Sequence, residues 1–362
     1  MKYVDEFRDK SLVKQALDKI LSVNPKSMVR IMEVCGTHTH NFRRFGLNSL
    51  LPGNITLVSG PGCPVCVSSQ GYIDSAVELS RDQGVIIATF GDMLRVPGTY
   101  SNLEEERAKG AKISVVYSAL EALNIARRSP GRKVIFLAVG FETTAPTIAL
   151  SILAAKKEKI DNVYFYCALK LIPPVMAGLL RDKRLKLSGF LCPGHVSAII
   201  GIRPYQHIAG KFGMPCCIAG FEPLDILEGL YFILRQIKED RAEAENQYIR
   251  AVRKEGNIRA KALISQVFKV SDASWRGLGR VGLSGLEIKK EFSRYDAGVI
   301  FGLPDNPLSP ERKSGCRCAD VLKGVISPAA CPLFSKACNP DNPKGPCMVS
   351  QEGACYAHYK YR

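Results

Sequence analysis

No run of this sequence is apolar for long enough to cross a bilayer. The most hydrophobic stretches, Val134–Val139 and Ala145–Ala155, are far short of the roughly 20 residues a spanning helix needs. The first ten residues mix charges of both signs and hold no apolar h-region, so a secretory signal is not expected and a cytoplasmic location is. A dense cationic block is missing too. The formal charge is 50 − 34 = +16, yet between Arg235 and Arg294, the most basic-looking region, 14 Lys/Arg are interleaved with 8 Asp/Glu. That pattern reads as a mixed solvated surface, so neither nucleic acid nor membrane is an expected partner, and an acidic protein suits the surplus better.

Cysteine is abundant: thirteen residues, seven from Cys35 to Cys217 and six between Cys316 and Cys355. A disulfide framework belongs to small secreted chains, whereas this one is 362 residues long and 46% hydrophobic, enough to pack its own core. Cytosolic cysteines at this density point to metal or redox chemistry.

From about residue 28 to 222 one phrase repeats. A short run of Val, Ile, Leu and Phe ends in glycine or a small polar residue, and an amphipathic stretch follows. Val29–Val34, Ile55–Ser59, Val85–Phe90, Val134–Val139, Val163–Cys167, Phe190–Leu191 and Cys216–Ala219 are the runs. The alternation predicts an α/β fold of parallel sheets covered by helices. An internal echo (Gly-Pro-Gly-Cys-Pro at 60–64 with Cys-Pro-Gly-His at 192–195, Gly-Phe-Glu at 140–142 and 220–222) points to two similar units. The expected division is 1–150, 151–235 and 236–362, with a helical bridge around 226–268 leading into a tail rich in Gly, Pro and Cys. Hydrophobic burial alone would hardly hold such a tail, and a metal staple would.

Several strand ends carry chemistry. Val-Cys-Gly-Thr-His-Thr-His at 34–40 places Cys35, Thr37 and His38 at the carboxyl end of a strand, where open α/β sheets bind ligands. A thiolate there is a nucleophile and a soft metal ligand, and an imidazole can tune it; the plainer reading is a small cysteine in a polar turn with His40 as a helix cap. Gly-Pro-Gly-Cys-Pro-Val-Cys at 60–66 holds Cys63 and Cys66 as Cys-x-x-Cys at a helix start, suited to a dithiol/disulfide cycle or to chelation. The second Cys-x-x-Cys of a structural zinc site is missing. Glu142, Thr143 and Thr144 follow the most apolar strand and could orient a small ligand or simply cap a helix. Cys192 and His195 close another strand end, and three of the five histidines (His38, His40, His195) fall in these motifs. Asp92, after the strand at 85–90, reads more simply as a turn residue. In the tail, Cys316, Cys331, Cys338 and Cys355 could bind zinc or an iron–sulfur cluster; without tight pairs, spacing leans toward the cluster.

Taken together and in order, Cys-Gly-Thr-His at 35–38, Gly-Pro-Gly-Cys-Pro-Val-Cys at 60–66, Gly-Phe-Glu-Thr-Thr at 140–144, Pro-Gly-His-Val at 193–196 and the four-cysteine tail resemble the HypD family over nearly the whole chain. The resemblance implies two similar α/β domains plus a cysteine-rich C-terminal domain carrying a [4Fe–4S] cluster on Cys316, Cys331, Cys338 and Cys355. It implies that Cys35, Cys63 and Cys66 bind the iron on which the Fe(CN)2CO unit of a [NiFe]-hydrogenase is assembled. It also implies two partners, a HypC-type small chaperone that shares the iron and a HypE-type carrier that delivers cyanide as a thiocyanate. His38, Thr143 and His195 are candidates for orienting the ligands. Cys318 and Cys347 could be spare thiols, alternate ligands or a disulfide, while Cys167, Cys216 and Cys217 are most simply core residues. Two other classes compete: a stand-alone thiol–disulfide oxidoreductase built on Cys63 and Cys66, and a zinc-stabilised binding module without redox chemistry.

Overall fold

The computed structural model describes residues 2, 4–182, 184–303 and 315–361. Among the described residues, nine strands form two parallel sheets: β1 (Val29–Glu33), β2 (Ile55–Ser59), β3 (Val85–Thr89), β4 (Ile113–Val115), β5 (Lys133–Gly140), β6 (Val163–Leu169), β7 (Gly189–Pro193), β8 (Cys216–Ala219) and β9 (Ala244–Asn246). The first sheet runs β2-β1-β7-β8-β9 and the second β4-β3-β5-β6. Central strands are buried on both faces: all five residues of β3, and all of β5 except Lys133. That is why they read as continuous apolar runs with no alternation. Proline opens several of the following helices, among them Pro64–Val67 and Pro223–Lys238, where its fixed φ costs nothing and no N–H is missed.

Numbered in the order the chain visits them, the strands of the first sheet lie 2-1-3-4-5 and those of the second 2-1-3-4. This is flavodoxin-like winding, and each sheet has one switch point, where neighbouring connections leave to opposite faces. In the first sheet it falls between β1 and β7, in the second between β3 and β5.

Division of the chain at 150 and 235 fails. Residue 150 lies inside the helix Ala145–Lys157, which follows β5, and the first sheet takes strands from both sides of the second. Residue 235 lies inside the helix Pro223–Lys238. Its apolar stripe (Ile226, Leu227, Leu230, Ile233, Leu234) is fully buried in the core of the first sheet, with Ala16 and Ile20 of the helix Lys10–Val23, and so is no bridge. Pairing of β1 with β7, Ile31 opposite Gly189, spans more than 150 residues, and no local pattern encodes it. The echo at 60–64 and 192–195 likewise falls in one sheet, flanking β1 on either side.

After residue 267 an antiparallel hairpin, β10 (Phe268–Trp275) and β11 (Gly279–Ile288), bulges between Ser271 and Ala273 and lies against β6. No apolar run or clean alternation marks these strands in the sequence. Beyond it the cysteine-rich tail has only short pieces, Cys318–Leu322, Pro328–Ala330, Pro346–Met348 and the helix Ala354–Lys360. No described helix is long and apolar enough to cross a membrane.

Candidate functional site

Cys35 sits at the N-cap position of the helix Gly36–Arg44, immediately beyond β1 and at the switch crevice of the first sheet. The nearby main-chain N–H groups of His38 and Thr37 favour its thiolate, though the side chain makes no cap hydrogen bond. His195, which follows β7 across the crevice, puts Nδ1 3.9 Å from Sγ. Burial, reinforced by the Glu352 carboxylate, pushes the Cys35 thiol up to about 12 against the pull of those donors. The resting group is therefore a neutral thiol, already surrounded by the donors that a thiolate would use. A bound cation would supply the missing charge.

Cys63 and Cys66 are brought to the same crevice by the turn after β2. The Gly36 N–H donates to the Gly62 carbonyl at 3.0 Å, and a Cβ on Gly62 would overlap the Cys35 main chain. Glycine at 62 is what lets the two loops touch. Cys63 caps the helix Pro64–Val67, the Cys66 N–H reaches Cys63 Sγ at 3.3 Å, and the two sulfurs lie 2.7 Å apart. That helix is a single turn of four residues, so the dipole expected to favour the thiolate is small. Burial dominates instead and drives the Cys66 thiol well up.

Both imidazoles of the crevice are neutral near pH 7, because burial pulls His38 and His195 down to about 4. His38 Nε2–H donates to the Gly220 carbonyl at 2.8 Å, a partner that can only accept, which leaves buried Nδ1 as a bare lone pair without a hydrogen bond. Phe221 packs against both rings, 4.9 Å from His38 and 5.3 Å from His195.

Glu142 and Thr143 stand apart, at the end of β5 in the second sheet. Glu142 Oε1 accepts the Ile172 N–H at 2.9 Å, Oε2 is buried without a hydrogen bond, and burial raises the carboxyl to about 7. Thr143 is half-buried one residue on. Cys192 does not join the crevice group: it is fully buried in the core, its thiol directed to the Phe190 carbonyl at 3.8 Å. Asp92 is exposed beyond β3, yet its charge reaches Glu352.

The tail closes over these loops. Thr37 Oγ1 donates to Glu352 Oε1 at 2.7 Å. His40 reaches the Gln351 carbonyl through Nδ1 and the Tyr361 hydroxyl through Nε2, both at 3.1 Å. His40 is thus a latch for the tail rather than a cap. The tail also brings its own sulfurs to the Cys63–Cys66 pair. Cys66 donates to the Pro346 carbonyl at 3.6 Å and lies close enough to Cys347 for that thiol to act on its titration. Cys318 and Cys355 in turn act on the titration of Cys347, and Cys316 on that of Cys318, so these thiols lie near one another. Cys338 feels the charges of Cys316 and Cys355, and its sulfur accepts the Lys344 N–H at 3.3 Å. Cys331 is buried as well, its carbonyl accepting the Phe334 N–H at 3.0 Å.

Among the described residues, no three His, Cys, Asp or Glu side chains converge as ligands of a single ion. The donor set of the tail is all thiol, soft, and supported by a main-chain N–H on sulfur. Those are features of ligands that share a multi-iron cluster. Sequence reasoning missed the part played by Cys347 and Cys318, and it missed Glu352 and Arg276 altogether. Arg276 is buried, joins the hairpin to Val67 by its main-chain N–H at 2.9 Å, and sets a positive charge beside Cys316 and Cys318. No local signal marks it.

Two parallel sheets whose loops and tail gather Cys35, Cys63, Cys66, Cys347 and Cys318 define an α/β protein with a buried multi-thiol site. The chain belongs to the HypD family: the family described as "HypD: Hydrogenase formation hypA family" matches residues 11–362. The chain is 46% identical over 369 residues to hydrogenase maturation factor HypD of Azotobacter vinelandii, covering all of this chain and 97% of that one. Its identity to the factor of the same name from Cupriavidus necator is 44% over 370 residues, again with 100% and 97% coverage. With a putative hydrogenase expression/formation protein of Methanocaldococcus jannaschii it shares 42% over 356 residues, 98% of each.

Proposed function

We propose that this hydrogenase maturation factor is the scaffold on which an iron carrying cyanide and carbon monoxide is assembled, and that its own thiols supply the reducing equivalents. One observation carries the reading: Cys35 and the Cys63–Cys66 pair share one crevice, and Cys66 donates to the Pro346 carbonyl of the tail at 3.6 Å, which sets it beside Cys347. Iron is the cargo here, held by Cys35, Cys63 and Cys66, whose soft thiolates suit low-valent iron with π-acid ligands. The neutral His195 and the bare Nδ1 of His38 line the crevice as uncharged groups able to orient a small diatomic ligand. A HypC-type chaperone sharing the iron and a HypE-type thiocyanate carrier are the proposed partners.

Release of cyanide from a protein thiocyanate is a two-electron reduction. A dithiol balances it: the S–C bond of the thiocyanate breaks, one S–S bond forms between Cys63 and Cys66, and the products are the carrier thiol and hydrogen cyanide. Cys347 can then attack the new disulfide at Cys66, and Cys318 can resolve the mixed disulfide, restoring both thiols and leaving Cys318–Cys347 oxidised. A [4Fe–4S] cluster held by Cys316, Cys331, Cys338 and Cys355 would supply single electrons beside that second pair. The Arg276 charge favours thiolate at Cys316 and Cys318.

A stand-alone disulfide reductase fits less well. Cys63 and Cys66 are 3% and 0% exposed, so a bulky protein disulfide does not reach them, whereas a thiocyanate is slender and linear. Cys63→Ser tests the reading. The variant should keep the visible absorbance of the wild type, purified without oxygen, and release no cyanide from a thiocyanate-bearing carrier. Normal release would sink it.

A further inference from the structure

A cavity of about 330 Å3 lies between β2, the C-terminal end of the helix Gly36–Arg44 and the tail, on the far side of that helix from its Cys35 end. Arg30, Arg43 and His358 line it, with the hydroxyl-bearing residues Thr56, Ser59 and Ser327, and no carboxylate residue is in its wall. Arg30 spends one N–H on the Gly324 carbonyl at 2.9 Å. Arg43 is half-buried, and among the described residues its guanidinium makes no hydrogen bond and closes no ion pair. Its nearest counter-charge is Glu33, which is buried and tied to the Thr39 hydroxyl at 2.8 Å. Glu33 Oε1 has no hydrogen-bond partner, so Arg43 does not reach it. His358 is held neutral by burial and by the Arg43 charge, well below the usual imidazole range at about 3.

The Arg43 guanidinium is half-buried and has no protein partner among the described residues, so its donors are left to whatever occupies the cavity or to solvent. Two permanent cations facing one space, with hydroxyls around it and no acid in the wall, suit a dianion with several acceptor oxygens. Guanidinium groups meet phosphate oxygens in pairs, which a single carboxylate does less completely. We infer that this cavity is a phosphate site, bridging Arg30 of β1, Arg43 of the motif helix and His358 of the tail helix. The ligand is either free inorganic phosphate or the terminal phosphate of a monoester. Since its three walls come from the first sheet and from the tail, an occupant would pin the tail to the sheet without touching the thiols. The inference is independent of the iron reading and stands or falls apart from it.

The test is calorimetric titration of the protein, purified without oxygen, with inorganic phosphate and separately with a simple phosphomonoester at fixed ionic strength. Saturable binding with one site per chain is expected, and the tighter of the two probes identifies the source. Arg43→Met should weaken it at least about tenfold, a loss of about 1.4 kcal/mol. Arg44→Met should leave it unchanged, because Arg44 is exposed and faces the Phe45 ring. Absence of saturable heat with both probes overturns the site, as does equal binding by wild type and Arg43→Met. Should Arg43→Met fail to fold, Arg43→Lys, which keeps the charge and loses the fork, must still bind more weakly than wild type.

Discussion

Lys170, one residue past β6, shows what burial does to a single charge in this protein. It is 3% exposed, donates to the Ser274 carbonyl at 2.7 Å and stands 5.4 Å from the centre of the Trp275 ring. Burial pulls its pKa from 10.5 down to about 8, with the Cys167 thiol resisting. Between those values the unfolded chain holds one proton more than the folded one, so stability rises with pH across the window and the penalty is complete below 8. Measured against Lys170→Met by urea unfolding, the wild type should gain on the order of 3 kcal/mol between about pH 8 and pH 10.5. A difference that stays flat with pH would show that Lys170 keeps its ordinary pKa, charged and solvated, in the fold. The same physics acts on Cys35, Cys66, His38 and His195, all held in their neutral forms by burial until a ligand arrives.

At the scale of elements, the two motif loops work because they touch. Gly62 lets the turn after β2 lie against the main chain of Cys35, and a side chain there meets backbone atoms that cannot swing aside. Gly62→Ala should push the Cys63 turn away from the β1 loop, with a loss of roughly 1–3 kcal/mol typical of overpacking. Iron bound per chain should fall while far-ultraviolet dichroism stays native. A variant that binds iron as the wild type does would show that Cys35 and the Cys63–Cys66 pair need not be adjacent. The strand ends were legible in the sequence because buried parallel strands are continuous apolar runs. The strands β4 and β9 were not, being three residues long, and the hairpin β10–β11 was hidden by polar and glycine positions.

For the whole molecule, the tail is the part held least by its own core. Its regular pieces between 315 and 361 are seven residues or shorter, and it docks through Glu352, His40 and sulfur contacts. Cys338→Ala should lower iron content by about four per chain if the tail carries a [4Fe–4S] cluster, with loss of visible absorbance. Hydrogen exchange should then quicken from 315 to 361, while β3 and β5, buried on both faces, keep their protection. Zinc in place of iron, with no colour in the wild type, would remove the proposed source of electrons.

The sequence by itself determined the α/β class, most of the strands, and the motif positions Cys35, Cys63, Cys66 and His195. These are local: a strand's apolar run and the small residues that end it lie within ten positions of one another. Only the tertiary structure decided that β1 pairs with β7 on the side away from β2, that Cys192 faces the core and not the crevice, and that Cys347 meets Cys66. It also decided that His40 latches the tail. The pairing of β1 with β7, the meeting of Cys66 with Cys347 and the His40 latch each span more than 100 residues, while Cys192 is turned to the core by the alternation of side chains along β7. Loop closure sets no local preference among such pairings; burial of the assembled sheets selects one.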